Sequence, residues 1–98
     1  DVVALRDAYI AAGVVSDPKC EDKPGQDAKA AHGWQAVTGG SNTVLGVFDN
    51  SSALTKMVAQ DMKRKSARDA VLVGPNWEVR GPEFEIKDLQ GKLGGKLQ

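Results

Sequence analysis

Apolar side chains along this chain fall in short clusters whose spacing switches between the helical and the extended period. Val2, Leu5, Tyr9 and Ala12 recur at helical spacing, with Arg6 and Asp7 on the other side. This predicts a helix over residues 1–12, closed by Gly13 in the left-handed region, with Val14 folding back on the last turn. Leu54, Met57, Val58 and Met62 form a second helical stripe, from Ser52 to about Lys65. Asp49-Asn50-Ser51-Ser52 supplies its N-terminal caps, and Lys63-Arg64-Lys65 complements the dipole at its far end. Ile86, Leu89 and Leu93 mark a third helix, opened by Gly81-Pro82 and stopped by Gly94-Gly95. Its start is open between two readings, because E-F-E-I-K also alternates like a strand.

Between these stripes the pattern is extended. Residues 34–38 and 43–48 (T-V-L-G-V-F) read as a hairpin around Gly39-Gly40-Ser41-Asn42, with Gly46 as a bulge or close-approach point. Ala70 to Val73 is an unbroken apolar run suited to a central strand. Gly74-Pro75-Asn76 turns the chain, and Trp77 to Arg80 returns beside it, with Trp77 and Val79 on one face. Lys96 to Gln98 suits a short edge strand. The order is αββαββα. Hairpins separated by helices predict a single α+β domain over 1–98: two layers, a roughly four-stranded antiparallel sheet, and helices on one face. One stretch fits neither period. Ser16 to Gly33 is rich in charge, Pro and Gly, with almost nothing to bury, and reads as a long exposed loop of functional or mobile character.

Charge changes the picture by exclusion. Thirteen basic and thirteen acidic residues cancel. The chain therefore has no net field to concentrate nucleic acid or anionic lipid, and no nucleic-acid partner is expected. No apolar run approaches a membrane span. The single cysteine, Cys20, has no internal disulfide partner.

The candidate chemistry is sparse. Cys20 and His32 would make a thiol nucleophile and its base if held within hydrogen-bond reach. Both lie in the polar loop, where a solvated thiol and an exposed imidazole are the plainer reading. One His and one Cys fall short of a metal set, and Glu21, Asp22 and Asp27 lack calcium-loop spacing, so no metal or cofactor is expected. Gly39 to Thr43 has no following Lys and leads into a strand, so it is a turn and not a phosphate cradle. Lys63, Arg64, Lys65 and Arg68 form the one basic cluster, suited to a small anionic contact or to a solvated helix end. Trp34 and Trp77 sit at strand ends beside turns. Each is either core or the centre of a binding surface.

The pattern A-x-x-L-V-G-P-N-W-x-V followed by L-x-x-x-L-G-G-x-L resembles a family of small secreted proteins or lipoproteins of actinobacteria, mostly of unknown function. Val44 to Asp49 leading into a helix, and Ala11-Ala12-Gly13 followed by Cys20, fit the same resemblance, which covers roughly residues 1–20 and 43–97. It implies a place outside the cytoplasmic membrane, secreted or held by a lipid upstream of Asp1. It also implies a second cysteine near the first hairpin to pair with Cys20, and this chain has none. The chain opens at Asp1 directly in a helical pattern, as a mature or trimmed domain would.

Together these observations predict a non-enzymatic extracytoplasmic module that binds a protein or cell-surface component, with an immunity or exclusion role as its narrow form. The expected contact residues are Trp34, Trp77, Cys20, His32, Lys63 and Arg64. One alternative is a carrier of a small lipid or metabolite, with an apolar cavity lined by Leu54, Met57, Val58, Val71 and Val73. Another is a thiol-dependent enzyme using Cys20 and His32.

Overall fold

A computed structural model describes residues 2–15, 20–22, 35–39 and 43–98. The elements run α1 (Val2–Ala12), β1 (Glu21–Asp22), β2 (Gln35–Gly39), β3 (Thr43–Val47), α2 (Ser51–Arg64), β4 (Asp69–Val73), β5 (Trp77–Pro82), α3 (Glu83–Leu93) and β6 (Lys96–Leu97). The strands form one sheet in the order β1-β2-β3-β5-β4-β6, with every neighbouring pair antiparallel. This is the α+β class that the sequence predicts, with four full strands at its centre and a two-residue strand at each edge.

Most local expectations hold. Gly13 takes φ 68°, and its N–H donates to the Ile10 carbonyl. Val14 then packs against the core. Asn50 caps α2, its side chain accepting from the Ala53 N–H at 2.7 Å. The E-F-E-I-K stretch is helical. Its helix begins later than Gly81-Pro82 predicts, because β5 continues through Pro82, which pairs with Asp69 before α3 starts at Glu83. Gly46 takes a regular place in the ladder between Ala36 and Glu78, with no bulge. One element was not expected. Glu21 and Asp22, inside the predicted loop, pair with Thr38 and Val37. A Glu-Asp pair has no apolar alternation, so no sequence pattern announces this strand. The rest of that loop, the tip of the first hairpin, His32 and Trp34 lie outside the described residues.

The helices divide between the two faces of the sheet. The expected grouping on one face holds for α1 and α3. There Leu5 and Tyr9 of α1, Ile86 and Leu89 of α3, and Leu45, Ala70, Leu72 and Val79 of the strands form the main core. α2 instead covers the other face, where Leu54 and Met57 pack with Phe48 against Val44 and Val73. Strand direction explains the division. β3 and β4 run the same way, joined through α2, with β5 between them; β5 and β6 run the same way, joined through α3, with β4 between them. Both connections step in the same sense across the sheet but start from opposite directions. Such connections share one hand almost without exception, which puts their helices on opposite faces. The apolar run Ala70 to Val73 is what a strand covered on both sides requires.

Candidate functional site

The first surface to consider surrounds Trp77. It stands at the end of β5, opposite Val47 of β3. Its indole lies against two stretches of bare backbone. A Cβ on Gly74 would fall 2.0 Å from the ring, and one on Gly95 would fall 3.1 Å from it and 2.8 Å from the Val73 carbonyl oxygen. Both positions therefore exclude any side chain. Gly95 also holds φ +87°, which side-chain-bearing residues rarely adopt. The Gly-Pro-Asn-Trp and Leu-Gly-Gly motifs thus meet in space: two glycines clamp one tryptophan and bring β6 onto β4. Trp77 remains half-buried beside a recess of about 260 Å³, lined by Ala4, Leu5, Ala8, Val47 and Leu93, with Asn76 as its polar edge.

The second site lies on the opposite face, at the C-terminal end of α2. Arg80 points from β5 between Val44 and Val71, its register partners on the two flanking strands. Its Nη1 donates to Asp61 Oδ1 at 2.5 Å. The Asp61 side chain is 3% exposed and that of Arg80 is 23% exposed. Oδ2 of Asp61 is closed to solvent and has no hydrogen-bond partner among the described residues. Above this pair opens a pocket of about 340 Å³, whose lining adds Arg64, Lys65 and Asp69.

A third polar group, Glu85, is buried between α1, α3 and β3. Its Oε1 accepts from the Tyr9 phenol at 2.6 Å and from the Thr43 hydroxyl at 2.9 Å. Burial, together with the hydrogen bond to Glu85 and its charge, pushes the Tyr9 phenol well above its ordinary range. This network ties three elements together with its acceptor turned inward, which suits fastening and not chemistry.

Among the described residues, those that the sequence singled out do not form one cluster. Cys20 is half-buried against the main core, near Tyr9 and Arg6. Burial pushes its thiol up, and Arg6 only partly opposes that, so the nucleophilic thiolate is disfavoured. It is not the solvated loop thiol that composition suggests. Trp77 shares the α1 and α3 face with Cys20. Lys63 and Arg64 lie exposed on α2, behind the sheet; Arg64 lines the charged pocket, whereas Lys63 is not in its lining. Leu54 and Met57, expected to line an apolar cavity, are instead used in packing with Phe48. No group of three potential metal ligands occurs among the described residues, and no helix among them is long and apolar enough to cross a membrane.

Four residues escaped the sequence reading. Asp61 occupies the buried stripe of α2, four residues after Met57, and a lone carboxylate there was the available signal. Arg80 and Glu78 alternate with Val79, which reads as a solvent face until α2 is seen to cover it. Glu85 sits one turn before Leu89 on the buried side of α3.

The chain matches no protein-family profile, and no curated protein or solved structure shows significant similarity to it.

Proposed function

We propose that this domain is a non-enzymatic interaction module acting outside the cytoplasmic membrane, where it binds a protein or another cell-surface component. The observation that carries the reading is the recess beside Trp77. All five of its lining residues besides Trp77 and Asn76 are Ala, Leu or Val, and its aromatic wall is held in place by two glycines. A rigid half-exposed tryptophan next to a concave apolar patch is the anchor geometry of protein recognition. Such a wall loses little freedom when a partner side chain docks. The extracytoplasmic setting rests on the family resemblance of the Gly-Pro-Asn-Trp and Leu-Gly-Gly motifs. In the narrow form of this reading, the partner is an incoming toxin or phage component.

The test is site-directed photo-crosslinking on intact cells. A crosslinker at Ala4, on the rim of the recess, should trap a defined surface partner. The same group at Lys56, on exposed α2, should not. Ala4→Arg should abolish capture while the thermal midpoint stays within a few degrees, because Ala4 is exposed. Equal capture from both positions, or capture unaffected by Ala4→Arg, would overturn the reading.

A further inference from the structure

The charged pocket at the end of α2 stands apart from the Trp77 recess, on the other face of the sheet. We infer that it binds a small monocarboxylate that also carries an amine or hydroxyl donor, an amino acid or hydroxy acid. Three features of its lining lead there.

The first is charge. Arg64, Lys65 and Arg80 are set against Asp61 and Asp69, an excess of one positive charge. The C-terminal end of α2 adds partial negative charge to the same place. A monoanion balances such a lining, whereas a dianionic phosphate overloads it.

The second is the distribution of donors and acceptors. Asp61 already engages Arg80 on the floor. That leaves Arg64 and Lys65 as the accessible cations and Asp69 as the accessible carboxylate. Cations on one side and a carboxylate on the other suit a ligand with an anionic end and a donor end. Asp61 Oδ2, lacking a donor among the described residues, marks the same floor as acceptor-rich.

The third is size and footing. About 340 Å³ lies at the small end of metabolite pockets, which run from roughly 300 to 1,000 Å³. The floor is built on three central strands, with Val44, Val71 and Gly81 fixed in the ladder, so the site needs no loop to close it.

The experiment is an NMR titration of the full chain, following backbone amides, with L-serine, lactate and inorganic phosphate added separately at constant ionic strength. L-serine or lactate should give saturable shifts at Ala70, Val71 and Gly81. The double variant Arg64→Gln/Lys65→Gln should weaken that binding by about tenfold or more, as loss of charge-assisted hydrogen bonds does. Lys63→Gln, one residue outside the lining, should leave it unchanged. Saturable binding of phosphate alone, no saturable shift with either organic acid, or equal weakening by Lys63→Gln would each overturn the inference.

Discussion

Two adjacent rows of the same three strands carry opposite chemistry. Leu45, Val79 and Leu72 stand side by side across β3, β5 and β4, all fully buried beneath α1 and α3. One residue along, Val44, Arg80 and Val71 stand side by side on the other face, beneath the end of α2. The first row has two helices above it and is closed by apolar contact. The second has one helix, whose stripe ends in Asp61 and not in another leucine. Where two helices pack, the buried Glu85 carboxylate is satisfied by neutral hydroxyls. Where one helix packs, a guanidinium holds the Asp61 carboxylate, and a pocket opens beside them. The lesson is that the well-covered face makes the fold, while the thinly covered face leaves charge within reach of solvent.

This contrast can be broken by mutation. Ile86→Ala on the first face should cost about 3–4 kcal/mol, and Met57→Ala on the second about 2 kcal/mol, because the larger cluster cannot collapse around a void. Denaturant midpoints of both variants check this, and the reverse ranking would sink the comparison.

Asp61→Ala should cost about 3 kcal/mol by removing a buried acceptor from the partly buried Arg80 charge. The double change Asp61→Leu with Arg80→Met should recover most of that loss, since an apolar pair of similar volume removes both desolvation penalties. If the double variant is no better than the single one, the ion pair is a stabilising element in its own right.

Gly95→Ala should cost about 1–2 kcal/mol, because the added methyl meets the Val73 carbonyl and Trp77 at a positive φ. Gly91→Ala, in the interior of α3 with nothing within 4 Å, should instead stabilise by about 0.5–1 kcal/mol. Opposite signs in thermal melts would separate the glycine that seats Trp77 from one that seats nothing.

The smallest effect concerns pH. The Tyr9 phenol has its folded pKa raised above the ordinary value of 10.0, so its contribution is fully present below about pH 10. It is lost progressively as pH rises further and the unfolded chain gives up the proton first. Tyr9→Phe should lose less stability than the parent protein between pH 9 and 11, measured by denaturant unfolding. Parallel curves would remove the network from the account.

The elements themselves were legible. Helical stripes at Leu54, Met57 and Val58 and at Ile86 and Leu89, the Asn50 cap and the two-glycine stop all report local physics, and each is where its residues predict. The candidate sites were legible only in part. Trp77 stood out by type, but its glycine seat joins residues about twenty positions apart. Arg80 and Asp61 were invisible as a pair, because nineteen residues separate them and each alone resembles a surface charge. Cys20 was misjudged for the same reason: composition described its neighbours in the chain, whereas α1 supplied its neighbours in space.

What the sequence determined by itself is therefore the list of elements and their order, since period, caps and turns act over a few residues. Which face α2 and α3 cover was decided by the hand of two strand crossovers, a property of the whole sheet. That choice turned alternating charges on β5 into a pocket floor and an ordinary turn glycine into the seat of a tryptophan, because burial depends on what lies across the layer and not on what lies next in the chain.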